Sequence, residues 1–174
     1  MSILKWLTFI LILGASQLAG AATMCTEPEL SSYAADDARC YFYAGTAAYR
    51  AKDFKTAVVK WKALAALPEL PVELEYLRLS AYNNLGFVYF YGLAGETDKQ
   101  AALAYWKDAF KAGHDEAAYH LCHAYAVAQE PTYAPKLARG MCKEALRRYQ
   151  PQEAGDGAAE TIADIKLHLS STER

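Results

Sequence analysis

The densest run of chemically versatile side chains is His120, Cys122 and His123, with His114 a few residues upstream. Imidazole and thiolate are ligand types that zinc takes. On a helix, however, His120 and His123 stand about 60° apart and Cys122 points elsewhere. The run therefore reads as histidines on a helix surface, with His114, directly after Gly113, as a turn residue; no metal and no cofactor are expected. The carboxylates fall as Asp36-Asp37, Glu73 and Glu75, and Asp115-Glu116. Neighbours one or two positions apart do not share a helix face, so no acid–base pair is implied and these groups read as solvated faces and first-turn charges. No Gly-x-Ser-x-Gly, His-Glu-x-x-His, phosphate loop or dinucleotide fingerprint occurs. Nucleophilic catalysis thus has little footing, and no catalytic residue is assigned.

Composition narrows the classes further. The 18 Lys and Arg against 20 Asp and Glu make no positive field that would draw nucleic acid. A hydrophobic fraction of 53% with 22% charged residues is that of a chain with a packed core. Lys52, Lys55, Lys60 and Lys62 alternate with core positions and form no basic membrane-binding stripe. Residues 1–21 have the order of a secretory signal peptide: Lys5, an apolar run from Trp6 to Leu13, then Gly14 and small residues to Ala21. That run is about half the roughly 20 residues a membrane span needs, so no stable membrane insertion is expected once the leader is removed after Ala21 or Ala22. An exported chain, periplasmic or secreted, gives Cys25, Cys40, Cys122 and Cys142 an oxidising compartment. Four cysteines allow three pairings, and their number alone does not choose among them.

The elements that must position these groups emerge when the chain is laid over itself. At an offset of 36 residues, Ser80 to Tyr89 falls on Glu116 to Tyr125 with Ala, Leu and Tyr in phase, and Trp106-Lys107-Asp108-Ala109 falls on Cys142-Lys143-Glu144-Ala145. A weaker copy lies upstream, with Tyr41 to Gly45 in its first helix and Asp53, Ala57 and Trp61 in its second. Periods of this size mark stacked helix hairpins. Local punctuation predicts where the helices stop. Asp53 caps Phe54 to Leu67, Pro71 opens a helix running to about Tyr91, and Gly92 and Gly95 break it. Asp98 caps a helix through Ala112 that Gly113 ends; a further helix runs from Asp115 to about Gln129, and Pro135 to Tyr149 forms the next. Residues 151–157 read as loop, and Ile162, Ile165 and Leu169 space a terminal helix from Ala158 to Leu169. The expected fold is all-α, a short α-solenoid of about three helix-turn-helix repeats over 38–150. The segment 22–37 precedes it, and 151–174 supplies a loop and capping helix.

The stretch Ala81 to Gly113, with Leu85-Gly86, Tyr89, Gly92, Asp98, Ala101, Ala102, Trp106 and Ala109, resembles the Sel-one-like repeat, a relative of the tetratricopeptide repeat. The first unit, with Ala44-Gly45, Ala57, Trp61 and Pro68, resembles the tetratricopeptide form, and the third departs by carrying Cys122 and Cys142. The resemblance implies that Gly86 lets one helix approach the Trp106 ring of its partner. The two cysteines replacing that pair then bond as Cys122–Cys142, which leaves Cys25–Cys40 to staple the N-terminal segment and removes the thiolate a metal would need.

The resemblance also implies a concave groove lined by the first helix of each hairpin. Carried over by position, the groove comprises Arg39, Phe42, Thr46 and Tyr49, then Asn83, Phe87 and Phe90, then Tyr119 and His123. Of the basic and amide set with which tetratricopeptide domains clamp a C-terminal carboxylate, only Asn84 has a counterpart. The implied function is noncatalytic: a monomer holding a protein or peptide partner, as an adaptor for an envelope protein or as an immunity protein neutralising a secreted toxin or effector. The alternatives are a hydrolase of the cysteine-rich repeat type that binds or cleaves β-lactams, and a structural envelope component that self-assembles through its ends.

Overall fold

The computed structural model describes residues 37–149 and 157–172, and among these every regular element is helical. The leader, Cys25, and all but the last residue of the expected 151–157 loop lie outside the described residues. Three helix hairpins follow in order: α1 (Ala38–Arg50) with α2 (Phe54–Ala65), α3 (Glu75–Tyr91) with α4 (Lys99–Lys111), and α5 (Asp115–Ala126) with α6 (Pro135–Tyr149). A 3-10 turn, Val72–Leu74, leads into α3, and α7 (Ala158–Ser171) closes the series. Each helix packs on the next, and α7 packs on both α6 and α5. No helix among the described residues is long and apolar enough to cross a membrane.

Short-range chemistry sets the helix ends. Asp37, Asp53 and Asp98 cap α1, α2 and α4, their carboxylates accepting from the amides of Arg39, Thr56 and Ala101 at 2.8, 3.1 and 2.9 Å. Each cap satisfies a first-turn N–H that has no partner within the helix. Gly92 ends α3 at φ 65°, a left-handed conformation that glycine adopts without a Cβ penalty. Some ends differ from expectation: α2 stops at Ala65, two residues before Leu67, α3 starts at Glu75 after the 3-10 turn and not at Pro71, and α5 stops at Ala126, three residues before Gln129. The returning loop competes for the last carbonyls of α5, Thr132 Oγ1 donating to Ala124 O at 2.6 Å and the Ala134 amide to Tyr125 O at 2.9 Å. Those bonds satisfy acceptors that a longer helix would have used.

The same close approach recurs in each hairpin. A Cβ built on Gly45 would lie 2.6 Å from Trp61 Nε1, and one on Gly86 would overlap the corresponding atoms of Trp106. Both indoles are fully buried. In the third hairpin the two positions are Cys122 and Cys142, whose Cα atoms lie 4.6 Å apart and whose sulfurs are bonded. This is the pairing that the repeat alignment predicts. Cys40 is buried and disulfide-bonded, while its expected partner Cys25 lies outside the described residues. The core accordingly runs along the stack in three clusters, centred on Trp61, on Trp106 with Phe90, and on the Cys122–Cys142 bond with Ile165 of α7.

Candidate binding cleft

A cleft of about 360 Å³ opens between α1, α3 and α5, floored by Trp61 of α2. Its aromatic lining is Tyr49, Trp61 and Phe87; its polar lining is Thr46, Arg50, Asn83, Asn84, Glu116 and His120. Across it, α3 meets α5 through side chains. Asn83 Nδ2 donates to Glu116 Oε2 at 2.8 Å, and the Phe87 ring lies 5.9 Å from that of His120. Beneath them Trp106 stacks on His120, centroids 4.8 Å apart, and donates its indole N–H to Asn83 O at 3.1 Å.

The first hairpin lacks the equivalent of that last bond. The hydroxyl of Thr46 donates to Phe42 O at 2.9 Å, the carbonyl standing where Asn83 O stands in the second hairpin, and Trp61 Nε1 has no partner among the described residues. Asn83 Oδ1 is likewise buried without a donor. One N–H and one C=O on residues at the cleft thus remain unsatisfied, both buried beneath its surface, at a cost to the fold of about 1–3 kcal/mol each. His120 beside it, with a smaller contribution from Asn83, holds the Glu116 carboxyl below the usual carboxylate range, so the cleft presents an anion from α5 and the Arg50 cation from α1.

Of the nine residues expected to line the groove, Thr46, Tyr49, Asn83 and Phe87 do so. The others are placed differently. Arg39 is turned back onto its own cap, its Nε bonding Asp37 Oδ1 at 2.9 Å. Phe42 packs on the Trp61 cluster and edge-on to Tyr43. Phe90 shares a helix stripe with Asn83 and Phe87 but is 0% exposed. At that end of α3 the stripe runs into Trp106, Leu121, Ala124 and Tyr125, and Lys99 covers the ring from 3.6 Å. Tyr119 and His123 face α7 instead of open solvent: the Tyr119 hydroxyl donates to Asp164 Oδ2 at 2.9 Å, and His123 Nδ1 meets His168 Nε2 at 3.0 Å. Burial, reinforced by His168, holds His123 below the ordinary imidazole range.

Sequence reasoning missed Arg50, Glu116 and His120 as cleft residues and took Trp61 only as core. The 36-residue offset contained a signal for His120, since it falls on Asn84, the one clamp-like position. Compared with protein families, curated proteins and solved structures, the chain finds no match.

Proposed function

We propose that this chain is an exported, noncatalytic helical-repeat protein that holds an extended segment of a partner protein in the cleft between α1, α3 and α5, as an adaptor or an immunity protein. The observation that carries the reading is the mixed lining of the cleft, in which the rings of Tyr49 and Phe87 stand beside the Arg50 cation and the Glu116 anion. A protein segment of mixed composition presents apolar side chains and charges of both signs to such a lining. Tyr49 and Phe87 supply the ring surfaces that commonly anchor such contacts, while Arg50 and Glu116 offer complementary charge to a segment bearing both signs. The leader-like N-terminus and the resemblance to exported repeat proteins support the compartment and the partner class.

The test is capture from the exported fraction with three chains: wild type, Phe87→Asp and Phe90→Asp. Phe87 is half-buried at the cleft wall, so Phe87→Asp is expected to keep its far-UV helicity and lose a partner that the wild type retains. Phe90 is core, and Phe90→Asp is expected to unfold. Equal recovery of the same partner by wild type and folded Phe87→Asp would remove the cleft from the reading.

A further inference from the structure

The side chains where α7 meets α5 suit a different ligand from the cleft. His123 comes from α5, and Asp164 and His168 from successive turns of α7. One ligand-type atom from each lies within 4.8 Å of the other two. The His123 Nδ1 to His168 Nε2 separation is 3.0 Å, and that from His168 Nε2 to Asp164 Oδ2 is 3.2 Å. In tetrahedral zinc with bonds of about 2.0–2.1 Å, neighbouring ligand atoms stand about 3.3–3.4 Å apart, so these edges are close to those of a formed site.

We propose that His123, Asp164 and His168 bind a divalent late transition-metal ion, with zinc the best fit, and so clamp α7 onto the third hairpin. The two imidazoles select such ions over magnesium or calcium, and zinc accepts a carboxylate oxygen as the third ligand. The Tyr119 hydroxyl, bonded to Asp164 Oδ2, holds the carboxylate toward the two rings, the support that metal-binding carboxylates usually have. In the absence of metal, a hydrogen bond between the two facing ring nitrogens requires one of them to carry a proton. Coordination requires the other tautomer of that ring, its proton carried on the nitrogen that faces away, so both facing nitrogens present lone pairs to the ion. All three residues are partly buried, shielded from bulk water yet reachable. Three protein ligands leave a fourth position for water, and the ion joins residues 45 apart in sequence.

The test is calorimetric titration of the untagged, chelator-stripped full chain with zinc chloride, alongside the absorption spectrum of its cobalt(II) form. Saturable uptake of one ion per chain, not competed by magnesium, with a cobalt spectrum of nitrogen and oxygen ligation, is the expected result. His168→Gln and Asp164→Asn sit on the outer helix and are expected to fold and weaken uptake at least tenfold. Tyr119→Phe should weaken it about 10- to 100-fold, while His114→Gln leaves it unchanged. Zinc should also raise the thermal midpoint of the wild type and not that of His168→Gln. Absence of saturable uptake by the wild type, or undiminished uptake by folded His168→Gln and Asp164→Asn, would overturn the proposal.

Discussion

At the scale of single residues, Gly86 and Gly140 are both helical glycines and carry opposite consequences. A Cβ on Gly86 enters the Trp106 indole, which is buried and held by its bond to Asn83 O, so the ring has no free direction in which to yield. Gly140 of α6 has nothing within 4 Å of an added Cβ. Gly86→Ala is therefore expected to destabilise the fold by about 1–3 kcal/mol through overpacking, and Gly140→Ala to stabilise it by about 0.5–1 kcal/mol through helix propensity. Urea unfolding of the two variants checks both signs at once. The Gly86 contact was legible in the sequence because the repeat places a small residue opposite a ring. The unpartnered Trp61 N–H was not, because it depends on Thr46 donating to the carbonyl that stands where Asn83 O receives Trp106.

At the scale of elements, the third hairpin replaces a glycine–indole contact with a covalent bond. Cys122 and Cys142 are 20 residues apart, and on the chain-entropy account closing a loop of that length contributes about 3 kcal/mol. The double variant Cys122→Ala/Cys142→Ala leaves the cysteine at position 40 untouched and is expected to lose about that much in urea unfolding. Faster amide exchange should be confined largely to α5 and α6. An unchanged unfolding midpoint would mean that packing of Ala118, Ala145 and Ile165 holds the hairpin unaided. The helix starts were readable from Asp53, Asp98 and Pro135 because a cap acts within one turn. The early end of α5 was not, since it is set by Thr132 and Ala134 returning from the loop.

At the scale of the whole molecule, ionised carboxylates tie elements together and make stability depend on pH. Arg147 and Arg148 hold Glu144 down at about 2, and Arg148 also reaches Asp115 of α5 at 3.2 Å. Arg39 lowers Asp37, and His120 lowers Glu116, which bonds Asn83 across the cleft. A carboxylate depressed in the fold contributes stability above its unfolded value, about 4, and that contribution disappears as pH falls toward the folded value. Unfolding free energy is thus expected to begin declining below about pH 6.5, where burial makes protonation of His114 and His123 unfavourable in the fold, and to fall further between about pH 5 and 2. Glu144→Gln should flatten part of that slope, modestly because the pairs are solvent-screened. Chemical denaturation at several pH values measures it. The sequence, with its repeat resemblance, determined the all-helical class, most helix boundaries, the Gly86–Trp106 contact and the Cys122–Cys142 pairing, because capping acts within a turn and the repeat period carries one contact to the next hairpin. The tertiary structure alone decided which parts of each helix face remain open. Asn83 and Phe87 stay at the cleft while Phe90 on the same stripe is buried, and Tyr119 and His123 are covered because α7 docks on α5. Helix periodicity says which side chains share a face, but what covers that face depends on elements tens of residues away.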